Sequence, residues 1–506
     1  GVRAALYAGI GAAAYAPFII YQGQILGETL LNLLVAAFFL VMVYASGAFT
    51  SKRAFAAGIL LGLAVAAKPT CLVFAPFSLL LIVKSASWNL RRALAPALFM
   101  LAALIVALLP FAWRNYRAVG EFHLVRGNSG IMLYMGNNPD ATGSYRQPQG
   151  EAALALAAES LDMPLAEKDR LYRNAALRFA ASNPRRFLEL LLRKFRFFFE
   201  APEIPNNISV TLYRQITFLE APAFLTFGLL LPFAVVGFLF SMRKPRVAFL
   251  AVQIAVYAAT IILFIVVGRY RLAVVPLLFP AAGFAAAELV FAVKSFDFPR
   301  TLAFVVPVFA LTLLVNHFAI VNSVNQRFHP DGFVTRSGNS VTIRDDSDYD
   351  TPFGAYTLDH KSVIEKNLVV RESLDGLTSA SVQIMLKVLR PGNITVRLNN
   401  SERTVKADRM PKQAVAVLFP PDAVVPGVNA VDVRTDADAR IIVYADDVYD
   451  YTRSLYSPDG LEWISRRFDR LSYHETPSLH MGGNEFKIRL QLTYAAPPVP
   501  QPQINP

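Results

Sequence analysis

The chain has one cysteine, Cys71, in 506 residues. A single thiol cannot close an intrachain disulfide, so no disulfide framework holds this protein together. Other signatures are missing too. There is no Gly-x-x-x-x-Gly-Lys-Ser/Thr loop, no Gly-x-Ser-x-Gly elbow, no His-Glu-x-x-His pair and no clustered Cys/His ligand set. These absences argue against a nucleotide-cradling loop, an elbow serine and a zinc centre, and the expectation is an activity with no cofactor and no metal. No internal repeat of fixed period is visible. The chain opens Gly-Val-Arg, without methionine, and enters an apolar stretch with no charged leader, which reads as a fragment whose upstream spans are missing.

What is abundant is apolar. Hydrophobic residues make up 54% and the mean hydropathy is +0.40, too apolar for one soluble globule of this length. The net charge of +12 would suit nucleic acid, but much of the excess sits in short loops between apolar runs. Anionic headgroups are the natural partner there, so membrane lipids are expected as partners and nucleic acid is not.

Apolar runs at 4–20, 29–45, 54–67, 70–83, 93–113, 221–240, 247–267, 272–292 and 301–321 predict about nine transmembrane helices. The connections 46–54, 84–92, 241–246 and 293–300 carry Lys52, Arg53, Lys84, Arg91, Arg92, Arg243, Lys244, Arg246, Lys294 and Arg300 against one acid, Asp297. The connections 21–28, 67–70 and 268–271 carry only Lys68, Arg269 and Arg271. The positive-inside rule puts the first set in the cytoplasm, so segment 114–220 and the C-terminal tail both face the outside. The predicted fold class is an α-helical polytopic membrane domain with a large outer loop, followed by an all-β sandwich. The boundaries are a transmembrane block at 1–113, a periplasmic loop with amphipathic helices at 114–220, and a second block at 221–322. A periplasmic β-sandwich follows at 323–494 and a disordered tail at 495–506. The sandwich is read from period-two alternation: Val382, Ile384, Leu386 and Val388 against Gln383, Met385 and Lys387, then Ile394, Val396, Leu398, and Phe486, Ile488, Leu490, Leu492.

Charges at span ends are the first candidates for chemistry, because they are costly near hydrocarbon. Glu28 opens a span after Gly27, where a carboxylate could bind a sugar hydroxyl, a metal ion or a partner cation. Lys68-Pro69 breaks an apolar run, freeing backbone groups beside a point charge suited to phosphate, although a snorkelling lysine reads the same way. Arg269-Tyr270-Arg271 sits where outer cations are disfavoured, and two guanidiniums flanking a phenol suit a phosphate or pyrophosphate. His123 and the Gly136–Gly143 turn, with Asn138, could line a sugar site. Residues 185–199 form a basic, aromatic amphipathic helix expected along the outer leaflet, where anchoring is the simpler role.

These stretches together resemble the multi-spanning GT-C class of membrane glycosyltransferases, in particular the bacterial relatives of dolichyl-phosphate-mannose–protein mannosyltransferases and of lipid A aminoarabinose transferases. The resemblance runs over roughly 20–290. It is carried by Gly27-Glu28, by Gly58–Gly62 leading to Lys68-Pro69, and by Gly136-Asn-Asn-Pro139-Asp-Ala-Thr-Gly143. It is also carried by Tyr172-Arg173, Asn183-Pro184-Arg185-Arg186-Phe187, and Arg269-Tyr270-Arg271 with Pro276. It implies an inverting transfer of a sugar from a polyprenyl-phosphate donor to a glycan, lipid or protein acceptor at the outer face of the bacterial cytoplasmic membrane. The family's acidic base lies in the first outer loop, which would precede Gly1. Glu28 is the best catalytic carboxylate within the chain. Lys68, Arg269, Tyr270 and Arg271 are expected to bind the lipid phosphate, with His123 and Asn138 on the substrate side. The family often has Arg-Pro where this chain has Lys68-Pro69, which loses bidentate phosphate contact. The alternative is a non-catalytic transporter or polysaccharide-assembly scaffold. Transporters tend to repeat an interruption in corresponding halves, and Lys68-Pro69 has no counterpart in 221–321.

Overall fold

The computed structural model describes residues 1–47, 49–119, 128–139, 141, 143, 151–161, 163–204, 210, 214, 217–317, 320, 324, 329, 331–346, 354–446, 453–457, 459–461 and 485–498. Two compact units emerge. One holds residues 1–149 and 153–319 and is helical; the other holds 150–152 and 320–506 and is built of strands.

The helical unit contains five helices long and apolar enough to cross a membrane: Glu28–Ala45, Leu90–Arg117, Pro245–Leu263, Gly268–Lys294 and Phe298–Val315. The expected nine full-length spans are therefore corrected to five. The remaining four apolar runs make shorter helices. The 4–20 run breaks into Val2–Ala13 and Ala16–Gln22, because Ala14 and Ala16 turn their backbones to Leu225 (Leu225 N to Ala14 O 2.8 Å, Ala16 N to Leu225 O 3.0 Å). The 54–67 run is the 17-residue helix Ser51–Ala67, and 70–83 becomes a tight turn, Pro69–Val73, leading into Phe74–Ser85. The 221–240 run is Phe227–Ser241. At 1.5 Å per residue such helices cover roughly 18–26 Å, short of a hydrocarbon core of about 30 Å.

Small residues let these helices approach closely. On Ser51–Ala67 the buried face is Ala54, Ala57, Gly58, Leu61, Gly62, Ala64 and Val65. A Cβ on Gly58 would overlap the Met100 carbonyl, and one on Gly62 would lie 2.6 Å from Ala107 Cβ. The bundle has two ends, and at one of them Ser46 Oγ accepts from Arg246 Nε at 3.0 Å. At the opposite end Glu28 meets Arg269, Ala201 N donates to Val315 O (2.9 Å), and Asn316 donates to Gly228 O (3.0 Å). The last helix thus exits at the end where the polypeptide around 200 sits.

The second unit has two antiparallel sheets. With strands numbered β1 to β13 they are Phe333–Ser337, Ser340–Arg344, Gly354–Leu358, Val363–Val370, Leu377–Arg390, Gly392–Leu398, Ser401–Ala407, Met410–Phe419, Gly427–Thr435, Arg440–Asp446, Ser454–Ser457, Glu485–Phe486 and Ile488–Tyr494. The larger sheet runs β1-β2-β13-β5-β10-β12, with β8 also on β5 and β3 also on β10; the smaller runs β11-β4-β9-β6-β7. The last strand is inserted between early ones, with Leu490 facing Ile343 on one side and Val382 on the other. One core joins both sheets, including Val382, Ile384, Leu386, Val388, Ile394, Val396, Leu398, Phe486, Ile488, Leu490 and Leu492. These are the alternating residues expected to point inward. The intervening set does not simply face water: Met385 is buried with Ile442 and Tyr444, and Lys387 is buried as well. Of the tail expected to be disordered, only 495–498 is described, and Ala495 N donates to Gly376 O (2.9 Å).

A polar cluster at one end of the helical bundle

Glu28 is the first residue of its helix and is almost wholly buried. Its Oε1 accepts from Arg269 Nε at 2.6 Å. Arg269 belongs to a single helical turn, Gly268–Arg271, that opens the fourth long span. Lys68 reaches the same place from the other side. Pro69 disfavours helix at the residue before it, and Lys68 is extended (φ −146°, ψ 105°). Its Nζ lies 3.4 Å from the Arg269 carbonyl oxygen and 4.2 Å from the centre of the Tyr270 ring. Tyr270 is itself held by its carbonyl, which accepts from the Tyr257 hydroxyl at 2.9 Å. Glu28, Lys68, Arg269 and Tyr270, distant in sequence, therefore form one contiguous group.

Arg271 faces elsewhere. It is 1% exposed and donates to four carbonyls, those of Phe198 (3.3 Å), Glu200 (2.6 Å), Ala201 (3.4 Å) and Pro202 (3.0 Å). It pairs with Glu203 (2.9 Å), and its guanidinium lies 3.8 Å from the Phe227 ring centre. The planar five-donor fork suits this backbone clamp, which fixes the segment after residue 199 against the helix ends. A Cβ on Gly268 would strike Glu203 Oε2, so a side chain there would push the Glu203 carboxylate aside.

The Gly136 turn docks on the same region. Helix Ser129–Gly136 ends so tightly against the C-terminus of helix Pro245–Leu263 that a Cβ on Gly136 would overlap the Phe264 carbonyl oxygen. Asn137 donates to the Leu133 and Leu263 carbonyls, both at 2.8 Å, and its Oδ1 accepts from Lys194 Nζ at 2.8 Å. Val266 N then donates to Gly143 O (3.1 Å). Lys194 comes from helix Pro184–Phe199 and is fully buried, and burial pulls its ammonium down to about 7. Asn138 is also buried and ties its own turn, donating to the Tyr134 (2.8 Å) and Met135 (3.1 Å) carbonyls. His123 lies outside the described residues.

Several buried polar atoms here have no hydrogen-bond partner: Tyr15 Oη, Glu28 Oε2, Asn32 Oδ1, both Glu203 carboxylate oxygens and Arg271 Nε. Glu203 still has its ion pair with Arg271. Elsewhere among the described residues of the helical unit only Gln253 Oε1 is in this state. Native proteins rarely leave such atoms unmatched, and a concentration of them marks a place where a ligand or water completes the bonding. Sequence reasoning missed Tyr15, Asn32, Lys194 and Glu203. Lys194 carried a signal, as a cation within an apolar helix face; Glu203 and Asn32 looked like ordinary polar residues. Among the described residues no group of three or more His, Cys, Asp or Glu could hold a metal. No family model, curated protein or solved structure matches this chain.

Proposed function

We propose that the chain is a membrane glycosyltransferase of the GT-C type that takes its sugar from a polyprenyl-phosphate donor. The observation that carries this reading is the buried Glu28–Arg269 pair, 2.6 Å apart, beside Lys68 and among unmatched polar atoms. In this reading Lys68 and Arg269 hold the lipid phosphate, and Tyr270 orients Lys68 through its ring face. Glu28 commits Oε1 to Arg269 and leaves Oε2 for a sugar hydroxyl, as the candidate catalytic carboxylate of the chain. Arg271 acts indirectly, by clamping the 198–202 backbone.

The reaction would be a single displacement. The acceptor oxygen attacks the anomeric carbon, the bond to the phosphate oxygen breaks with its electron pair going to the lipid phosphate, and the acceptor proton passes to a carboxylate base. The two cations stabilise the phosphate as charge develops on it. The cluster lies at the bundle end away from the short cation-rich connections, which under the positive-inside rule is the periplasmic face of the bacterial inner membrane. The 114–220 segment shares that face in this reading, with Phe227–Ser241 leading from the cluster end, where Gly228 meets Asn316, back toward Arg243-Lys244.

The test is turnover of a polyprenyl-phosphate hexose by the full-length protein in lipid discs. Arg269→Ala is expected to lower turnover by about 10²–10³, the usual effect of removing one donor from a developing oxyanion. Unchanged turnover in Arg269→Ala and Lys68→Ala would overturn the phosphate assignment.

A further inference from the structure

Helix Pro184–Phe199 has three separate strips. At about 100° per residue, Leu190, Lys194 and Phe198 share one side, and all three are buried. Leu188, Leu192 and Phe195 recur at the spacing of a second strip and are 57%, 59% and 54% exposed. Arg185, Arg186, Arg193 and Arg196 mark a third, with Glu189 among them and Glu200 just beyond the helix. Glu189 pairs with Arg185 and Arg186, and Glu200 with Arg196, so three surface arginines face two carboxylates.

The packed strip fixes the helix at the level of the bundle end. Phe198 joins the core that includes Leu31, Phe74 and Val266, and the Phe198 carbonyl is held by Arg271. The helix therefore lies where the spans emerge, with an apolar edge beside a cationic edge. An apolar partner alone would leave the arginine edge unused, and an acidic soluble partner would leave the leucine ridge in water. A surface that is apolar below and anionic above meets both.

We infer that helix Pro184–Phe199 binds an anionic lipid surface, with Leu188, Leu192 and Phe195 in the acyl boundary and Arg185, Arg186 and Arg196 at the headgroups. The helix is thus a lipid-binding site as well as a support for the polar cluster, and the inference does not depend on the glycosyltransferase reading.

Spin labels test it. In the full chain with Cys71→Ala, nitroxide is attached at Leu192→Cys, Phe195→Cys or Arg185→Cys, three exposed positions where a label displaces no core. The protein is placed in discs of phosphatidylcholine, alone or mixed with phosphatidylglycerol. Labels at 192 and 195 are expected to collide several-fold more with oxygen than with a water-soluble nickel chelate, the label at 185 to show the reverse, and the contrast to grow with phosphatidylglycerol. Nickel access at 192 and 195 equal to that at 185 would overturn the inference by placing the ridge in water. Exclusion of both reagents would overturn it by showing a protein cover. The same contrast in neutral and anionic discs would overturn the anionic assignment.

Discussion

Replacing Arg269 by methionine removes the guanidinium 2.6 Å from Glu28 Oε1 and leaves a carboxylate that is 4% exposed, with its other oxygen already unmatched. Breaking one side of a buried ion pair costs about 3–5 kcal/mol, chiefly through the stranded charge. Glu28→Met strands the arginine instead. Arg269 is 21% exposed, so water relieves part of that charge and the cost is nearer 2 kcal/mol. Replacing both by methionine strands neither, and similar exchanges in other proteins are often close to neutral. The four proteins therefore form a cycle in which a neutral double, set against single costs of about 3–5 and about 2 kcal/mol, gives a coupling of about 5–7 kcal/mol, a factor of roughly 5,000–100,000 in the unfolding equilibrium. Reversible unfolding in mixed micelles, followed by helical circular dichroism, gives the four free energies. If the two single costs add to the double within about 0.5 kcal/mol, the pair is not an energetic unit and the site geometry argued from it is wrong.

Three further outcomes follow from the same structure. Gly136→Ala places a methyl on the Phe264 carbonyl oxygen and is expected to destabilise the helical unit by about 1–3 kcal/mol, seen as a lower thermal midpoint in micelles, with Gly9→Ala, whose Cβ meets nothing within 4 Å, as the unaffected control. Lys194 titrates near 7 when folded and at its ordinary 10.5 when unfolded, so between those values only the unfolded chain holds the extra proton; stability from this group rises with pH across about 7–10.5, and Lys194→Met should flatten that rise in a pH series of thermal midpoints. In the β unit, burial raises Asp345 well above the usual carboxylate range despite Lys366 at 2.6 Å, so its contribution is complete below the unfolded value and is lost as pH rises through the folded one; Asp345→Asn should remove that loss in hydrogen exchange of the sheet amides between pH 5 and 9.

Much of the architecture was legible because period and hydropathy are local. The inward residues of β5, β6 and β13 follow strict alternation, and the apolar runs that become the five long helices stand out by hydropathy alone. Span length was less legible. Apolar runs at 4–20 and 221–240 read as continuous, but the backbone exchange between Ala14, Ala16 and Leu225 breaks the first, and only a tertiary contact reveals it. At the site, Glu28, Lys68 and Arg269 stood out because charge near hydrocarbon is rare. The division of labour between Arg269 and Arg271 did not, since it depends on which guanidinium meets the carbonyls of 198–202. Lys366 is the counterpart in the β unit. It occupies a core-facing position of β4, and its partners Asp345 and Glu485 lie 21 positions before and 119 after it, beyond any local pattern.

The order of strands in the larger sheet also sets a timetable for biosynthesis. β13 is the last of the described strands to be made, yet it fills the slot between β2 and β5. Until it arrives, both neighbours present unpaired edges, and Lys366 lacks the Glu485 carboxylate that it will hold at 2.6 Å. At 5–20 residues per second, the 119 residues between Lys366 and Glu485 take roughly 6–24 s to synthesise. The nascent unit must be kept from pairing with other chains for that interval, and a chain stopped after Tyr456 would carry the open slot permanently.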